Sequence, residues 1–183
     1  MAKTLREYYG EALVRYGKEN EKIIVLDADV SGSTRSALFR DAFPDRHLNV
    51  GIAEANMTGM AAGLASVGMI PFVNTFAAFV TSCGLLAART FGSYSKLPIK
   101  LVGTYSGMSD AFDGPSHHAL DDIAIMRAQP NFEVIVPVTP PPPTGRSVTV
   151  WKRKNPSISG CPAMSSRTFI LWMNLLKSEK EKS

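Results

Sequence analysis

The sequence predicts an α/β fold, a mostly parallel sheet with helices on both faces. Short apolar runs of strand length recur along the chain, and such runs are typical of parallel strands that are buried on both faces. Segments with helical periodicity lie between these runs, as the crossover connections of a parallel sheet require. The pattern stops after residue 137, so the fold is expected to be incomplete at its C-terminal end.

An amphipathic helix is predicted at residues 4–20, because apolar and charged side chains fall on opposite sides at three- and four-residue spacing. The apolar run at residues 22–27 predicts the first strand, and a polar loop at residues 27–35 follows it. Loops at the carboxyl ends of such strands collect ligand-binding residues. The hydroxyl groups of this loop can hold a phosphate or can cap a helix and form turns, and the sequence leaves both interpretations open.

A second helix is predicted at residues 55–67, after a connection at residues 39–46 and a short strand at residues 47–51. His47 is expected to be a surface or loop histidine rather than a ligand. Small residues repeat along the helix at three- and four-residue spacing. One face is therefore almost bare of side chains, and another backbone can approach it closely.

The second half of the chain continues the alternation of strands and helices. Its glycine-rich loop is long for a compact domain, and loops of that length are commonly functional. The predicted elements are a strand at residues 69–74, a helix at 76–90, a strand at 99–103, the loop at 104–118, a helix at 119–128 and a strand at 132–137.

Three side chains stand out as candidates for a binding site. Glu54 is a lone acid among small and apolar residues at a helix start, and a carboxyl group in such surroundings is suited to proton sharing. The ordinary alternative is an acid that complements the dipole of a surface helix. Phe76 and Phe79 are three residues apart, so both rings project to one helical face. They can form a wall for a flat heterocycle or pack in the core.

Three motifs together resemble the pyrimidine-binding domain of transketolase. They are Gly51-Ile-Ala-Glu54, Asn74-Thr-Phe-Ala-Ala-Phe79 and Asp113-Gly-Pro-Ser-His117. Their order and separation match the stand-alone C-terminal subunit of split transketolases, over residues 3–137. The resemblance implies a thiamine-diphosphate enzyme that transfers a two-carbon ketol unit from a ketose phosphate to an aldose phosphate.

The resemblance also assigns roles to individual residues. It implies that Glu54 hydrogen-bonds the pyrimidine ring of the cofactor, that Phe76 and Phe79 stack on this ring, and that Asp29 contacts the cofactor as well. Catalytic roles are thereby implied for Glu54 and for His117, which assists proton movement at the substrate carbonyl.

The same resemblance implies a sugar-phosphate site. Arg6 and Ser33 fall at phosphate-contacting positions, and Asp113 and His117 at positions that contact sugar hydroxyl groups. An exposed arginine on a helix turn is the alternative for Arg6. No metal site is expected within this chain, because the adjacent His117 and His118 are too close in sequence for both rings to face one ion.

Four residues depart from the family pattern. Ser82 stands where a third aromatic residue is often found, so stacking on the cofactor is expected to be weaker. Tyr105 replaces a common histidine, and Ala111 and Phe112 replace a glycine-glutamate pair. These replacements leave the identity of the substrate open.

The sequence lacks the motif that binds the diphosphate end of the cofactor, and this bears on the partners of the chain. It contains no Gly-Asp-Gly segment followed by an asparagine at the spacing that binds Mg²⁺ and diphosphate in such enzymes. The resemblance therefore implies a separate N-terminal transketolase subunit that holds the Mg²⁺, and the bare helix face favours a homo-oligomer. The alternatives are a related thiamine enzyme, such as a deoxyxylulose-phosphate synthase or the beta subunit of a ketoacid dehydrogenase, and a non-catalytic subunit.

Composition excludes other classes of function. No run of about 18 apolar residues is available to span a bilayer, and the N-terminus lacks the apolar core of a secretion signal. A soluble cytoplasmic protein with no membrane partner is expected, and Cys83 and Cys161 fit a reducing compartment. Residues 1–143 hold 14 of the 16 acidic but only 12 of the 20 basic residues. The net charge of +4 therefore belongs to the tail and does not indicate nucleic-acid binding.

The tail at residues 138–183 is expected to lie outside the domain at residues 1–137. It begins with a proline run that favours an extended linker and continues as a basic, serine-rich stretch. One hypothesis is that the tail is non-native, read in a shifted frame, which resequencing of the coding region tests. The alternative is a natural variant whose tail is an interaction arm.

Overall fold

A computed structural model describes residues 4–136 and 167–172 of the chain. Its strands form one sheet in the order β2-β1-β3-β4-β6-β5, and each neighbouring pair is parallel. The parallel sheet predicted from the sequence is thereby confirmed. The strands are β1 Ile23–Asp27, β2 His47–Asn49, β3 Ile70–Phe76, β4 Lys100–Thr104, β5 Phe132–Ile135 and β6 Arg167–Trp172.

Helices connect the strands. Short 3₁₀ helices at Pro44–Arg46 and Pro115–His117 and a π-helix at Ala88–Tyr94 add to them. The helices are α1 Leu5–Glu19, α2 Ser31–Thr34, α3 Ala37–Ala42, α4 Glu54–Ser66, α5 Ala77–Ser82, α6 Leu85–Ala87 and α7 Asp122–Arg127.

The helices cover both faces of the sheet, as predicted. Side chains alternate along β1, so that Ile23 and Val25 pack in a cluster with α1 and α3. Ile24 and Leu26 point the other way and pack in a second cluster with α4. All five residues of β1 are buried, which explains why the strand is a continuous apolar run rather than an alternating one.

Helix α1 lies close against the loop that follows β1. It begins with a capping box, in which the Thr4 hydroxyl accepts from the Glu7 N–H and the Glu7 carboxylate accepts from the Thr4 N–H at 2.7 Å. A Cβ atom added at Gly10 would lie 2.6 Å from the carbonyl oxygen of Arg35. The absence of a side chain at Gly10 thus lets α1 bring Arg6 beside this loop.

The prediction of one continuous helix at residues 76–90 is wrong. Phe76 is the last residue of β3, and α5 ends at Ser82. A Cβ atom at Gly84 would lie 2.8 Å from the carbonyl oxygen of Val80, so this glycine permits a tight break before α6. The connection predicted at residues 39–46 is also wrong, because it contains most of α3 and a 3₁₀ turn.

The sequence predicts no strand after residue 137, and here the structure differs. The backbone of β6 inserts between β4 and β5, with Lys100 opposite Thr168 and Phe132 opposite Arg167. The domain boundary at residue 137 and the origin of the tail stay predictions, because residues 137–166 and 173–183 lie outside the described part of the chain.

Candidate functional site

The candidate site lies at the carboxyl ends of the parallel strands, which meet at one edge of the sheet. Glu54 begins the helix that follows β2, and Phe76 ends β3. Tyr105, Asp113 and His117 belong to the loop that follows β4. Parallel pairing therefore brings together residues that are far apart in the sequence.

Glu54 is a buried carboxyl group with a defined partner. Its side chain is only 6% exposed, and its Oε1 atom accepts a hydrogen bond from the Thr75 hydroxyl at 3.1 Å. The Thr58 hydroxyl donates to the Glu54 backbone carbonyl at 2.8 Å and ties the first turn of α4 together. The burial excludes the interpretation of Glu54 as an acid on a solvated helix face.

Four rings form an aromatic group beside Thr75. Phe76 and Phe79 are stacked, with centroids 5.7 Å apart and planes at 21°. The His117 ring lies 5.8 Å from Phe76 and 5.1 Å from Phe79, and the Tyr105 ring meets Phe76 edge-on at 4.9 Å. Phe76 belongs to a strand rather than to the predicted helix, but its ring still packs against that of Phe79. The predicted pairing of the two rings is therefore confirmed, although the helical spacing that predicted it is not its cause.

Arg6 connects the aromatic group to the loop after β1. Its Nη1 atom donates to the backbone carbonyl of Ser33 at 2.6 Å and to the Tyr105 hydroxyl, and the guanidinium carbon lies 4.6 Å from the centre of the Tyr105 ring. The Nε atom of Arg6 is buried without a hydrogen-bond partner. A guanidinium group has five N–H donors, so Arg6 retains donors for an anion.

The two predicted site aspartates lie at the margin of the group. Asp29 is exposed and has a positive φ of 65°, and its Oδ1 atom accepts from the Asn49 amide at 2.7 Å. Asp113 is also exposed and faces the side chain of Asp110. The described contacts of Asp29 therefore place it at the junction of β1 and β2 rather than against the aromatic rings.

Two hydroxyl groups after β1, those of Thr34 and Ser36, hydrogen-bond the carboxyl group at the end of this strand. Asp27, fully buried, accepts from the hydroxyls of Thr34 at 3.0 Å and Ser36 at 2.8 Å and from the Val30 N–H at 2.6 Å. Burial raises the pKa of the Asp27 carboxyl, and these hydrogen bonds oppose the rise. Of the two interpretations of this loop, the structure thus favours turn formation for Thr34.

His47 was expected to be a surface or loop histidine, and this expectation is wrong, because it lies in β2 and is buried. Its side chain is 9% exposed, and its Nε2 atom lies 3.5 Å from the Ser36 hydroxyl. Burial lowers the pKa of His47, whereas the nearby Asp27 carboxylate acts in the opposite direction. Parallel pairing of β1 with β2 sets Val25 opposite His47, a contact that local sequence does not reveal.

Sequence reasoning missed two further residues of the site. Thr75 is the partner of Glu54, and Asp110 lies buried next to Asp113. The signal for Thr75 was its position in the Asn74–Phe79 motif. Nothing in the local sequence distinguishes Asp110 from a solvated loop aspartate.

Among residues 4–136, no group of three or more His, Cys, Asp or Glu side chains is arranged to hold a metal ion. Within the same part of the chain, no helix has the length and apolar character needed to cross a membrane.

Residues 1–156 match the protein family described as "Transketolase, pyrimidine binding domain". A putative transketolase C-terminal section from Methanocaldococcus jannaschii is 48% identical over 135 residues, which are 74% of this chain and 43% of that protein. A 6-deoxy-6-sulfo-D-fructose transketolase subunit from Clostridium sp. is 37% identical, over 73% of this chain and 42% of that protein.

A solved structure of a split-gene transketolase, an inactive β4 tetramer, is 40% identical to this chain. It superimposes with a TM-score of 0.71 over 91% of this chain and 50% of that one. The chain thus spans no more than about half the length of these relatives.

Proposed function

Since the chain belongs to the transketolase pyrimidine-binding domain family, we propose that it is the pyrimidine-binding subunit of a split transketolase. It acts with a separate N-terminal subunit to transfer a two-carbon ketol unit from a ketose phosphate to an aldose phosphate. The observation that supports this most directly is a buried carboxyl group, Glu54, that accepts a hydrogen bond from Thr75, the residue before Phe76 of the stacked phenyl pair.

The residues present fit the pyrimidine half of thiamine diphosphate. A flat heterocycle needs an aromatic surface, which Phe76 and Phe79 offer, and a hydrogen-bonding group at its ring nitrogen, which Glu54 offers. Thr75 precedes Phe76 in β3 and donates to Glu54, so one strand end orients both features. Asp29, at the junction of β1 and β2, is proposed as a further contact of the cofactor.

When bound, thiamine diphosphate supplies the thiazolium carbon that carries the two-carbon unit. Glu54 holds a proton at the pyrimidine nitrogen, and its burial keeps water away from this hydrogen bond. Because Thr75 donates to the Oε1 atom, the other carboxyl oxygen of Glu54 would be the one that binds the pyrimidine ring. The chain thereby controls the protonation of the ring without supplying the reacting atom.

The substrate is proposed to lie beside His117 and Asp113, with its anionic end at Arg6. His117, held against both phenyl rings, and Asp113 bind hydroxyl groups of the sugar, and His117 also moves a proton at the substrate carbonyl. Arg6 and Ser33 bind the terminal anionic group. The Clostridium relative is named for a sugar with a terminal sulfonate. Sulfonate and phosphate are both anions whose oxygen atoms accept hydrogen bonds from a guanidinium group.

The N-terminal subunit is proposed to hold the diphosphate and Mg²⁺ of the cofactor, which is the reason that this chain alone is expected to be inactive. A homo-oligomer is proposed through α4. Cβ atoms added at Gly59 and Gly63 would meet nothing within 4 Å, and Ile52 and Val67 at the two ends of this helix are 85% and 75% exposed. This open face allows close approach of another backbone.

The test is reconstitution of the chain with the N-terminal subunit encoded in the same genome. Thiamine diphosphate and Mg²⁺ are titrated calorimetrically, and ketol transfer is then measured with ketose phosphate donors. Saturable binding followed by transfer supports the proposal. Binding with turnover of a ketoacid donor instead would assign the chain to a related thiamine enzyme, and absence of cofactor binding would make it a non-catalytic subunit.

A further inference from the structure

The side chain of Tyr105 joins two parts of the proposed site. The guanidinium carbon of Arg6 lies 4.6 Å from the centre of the Tyr105 ring, and the same ring meets that of Phe76 edge-on, with centroids 4.9 Å apart. The proposed function gives Arg6 the anionic end of the substrate and gives Phe76 the pyrimidine ring of the cofactor. Tyr105 therefore contacts both groups, although the proposed function assigns it no role.

The Tyr105 hydroxyl helps to decide which end of the Arg6 guanidinium group is open. The Nη1 atom of Arg6 carries two N–H groups, and it has two acceptors, the Ser33 carbonyl oxygen at 2.6 Å and the Tyr105 hydroxyl. The Nε atom is buried. The Nη2 atom has no hydrogen-bond partner among the described residues and, unlike Nε, is not buried. Nη2 is therefore the end of the group that remains available to an anion.

The backbone of Tyr105 has a conformation that a tyrosine rarely adopts. Its φ is 57°, in the left-handed region that is an outlier for bulky side chains, and it directly follows Thr104, the last residue of β4. Such conformations persist only where the surrounding structure holds them, and they cluster at binding sites. Local backbone preference thus does not explain a tyrosine here, whereas its contacts with Arg6 and Phe76 do.

We propose that Tyr105 is a positioning residue with two separable roles. Its hydroxyl orients Arg6 so that Nη2 meets the anionic group of the substrate, and its ring supports Phe76 against the cofactor. This inference rests on the proposed function, which supplies the anion and the cofactor. It makes the Tyr105 hydroxyl a determinant of the preference for phosphorylated over unphosphorylated sugars.

The first test compares Tyr105→Phe with Tyr94→Phe, a matched change at a side chain that is 87% exposed. In the reconstituted complex, Tyr105→Phe is expected to raise the KM for a ketopentose 5-phosphate by about 10-fold or more, because it removes a hydrogen bond to a charged group. The kcat and the KM for the unphosphorylated ketopentose should stay close to the wild-type values, and Tyr94→Phe should change none of the three. An unchanged KM for the phosphorylated sugar overturns the inference, and so does a lowered one, which would show that the hydroxyl competes with the anion.

A double-mutant cycle with Arg6→Gln tests whether Tyr105 acts through Arg6. The kcat/KM for the phosphorylated ketopentose should fall in each single variant, but Tyr105→Phe should cause no further loss once Arg6 is replaced, because residues that act as one unit are not additive. Additive losses would show that the hydroxyl acts on the substrate directly, which overturns the positioning role.

The role of the ring is tested by titrating thiamine diphosphate calorimetrically. Tyr105→Leu should weaken its binding by about 2- to 12-fold, the range expected for loss of an aromatic contact, whereas Tyr105→Phe keeps the ring and should bind like the wild type. Because a leucine is strained at this φ, Tyr105→Asn, which tolerates positive φ better, serves as a second variant with the same expectation. Wild-type affinity in the variants without the ring overturns this role.

If the wild-type complex binds thiamine diphosphate but transfers no ketol unit, the proposed function fails separately. Direct calorimetric binding of the two ketopentoses then decides the role of the Tyr105 hydroxyl. Weaker binding of the phosphorylated sugar alone by Tyr105→Phe, with no further weakening in the Arg6→Gln background, supports it. Equal binding by wild type and variant, or no binding to the wild type, overturns it.

Discussion

Replacement of Glu54 by glutamine tests the proposed acid with the smallest change in shape. Glutamine keeps an oxygen that can accept the 3.1 Å hydrogen bond from Thr75, but it removes the carboxyl group that holds the proton. Acid–base groups contribute about 10²–10⁴-fold to a rate. Ketol transfer by the reconstituted complex should therefore fall by at least about 100-fold, or ~2.7 kcal/mol in activation free energy.

The stability of the Glu54→Gln chain should change little. A carboxylate in the first turn of a helix stabilises it by about 0.3–1 kcal/mol, which corresponds to a shift in melting temperature of at most about 4 °C for a chain of this size. Thermal unfolding by circular dichroism and ketol transfer are measured on the same preparation, with the exposed Glu21→Gln as control. Turnover of Glu54→Gln within about threefold of the wild type would refute the assigned role.

Phe79→Leu should weaken thiamine diphosphate binding by roughly 2- to 12-fold, since an aromatic contact is worth about 0.5–1.5 kcal/mol beyond its area; unchanged calorimetric affinity would argue against the aromatic wall. Burial lowers the pKa of His47 from 6.5, so below pH 6.5 the unfolded chain binds a proton more readily than the folded chain does. The free energy of unfolding therefore decreases as the pH is lowered, by ~1.4 kcal/mol in total for each unit by which the two pKa values differ. His47→Gln should flatten this dependence in denaturant midpoints between pH 7 and 5. Gly10→Ala should destabilise the chain in urea despite a helix-propensity gain of about 1 kcal/mol, because its Cβ would lie 2.6 Å from the Arg35 carbonyl oxygen; a stabilised variant would contradict this.

Local sequence was sufficient to locate most of the elements. The apolar run at residues 22–27 became β1, and the helix predicted at residues 55–67 became α4 with Glu54 as its first residue. These two predictions succeeded because a strand buried on both faces and an amphipathic helix each leave a recognisable pattern of apolar residues along the local sequence. The break at Gly84 was missed, because the apolar composition of residues 76–90 suits a helix throughout and the crowding against Val80 appears only in three dimensions.

The site was predictable only where a motif marked it. Glu54, Phe76 and Phe79 were found through such motifs, whereas the contact of Arg6 with Tyr105 joins residues 99 positions apart. The Tyr105 hydroxyl accepts a hydrogen bond from Arg6, at a position where the resemblance to the family predicts a histidine. Long-range contacts of this kind depend on the order of the strands, which periodicity along the chain does not specify.

Strand β6 provides a direct test of where the folded unit ends. In the described part of the chain, β5 joins the sheet through β6, over four residue pairs, and β6 joins β4 over five. A chain ending at residue 136 would leave β5 without this partner and β4 at an open edge. Each ladder hydrogen bond contributes about 0.5–1.5 kcal/mol, and a domain of this size has only about 5–15 kcal/mol in total.

Truncation after residue 136 should therefore lower the urea midpoint sharply or abolish cooperative unfolding, whereas truncation after residue 172 keeps β6 and should preserve the midpoint of the full chain. The boundary at residue 137 that composition predicts leads to the opposite expectation, since it assigns β6 to a tail outside the domain. Equal midpoints for all three chains would show that the Arg167–Trp172 strand contributes nothing to stability, and the domain would then end where the sequence pattern does.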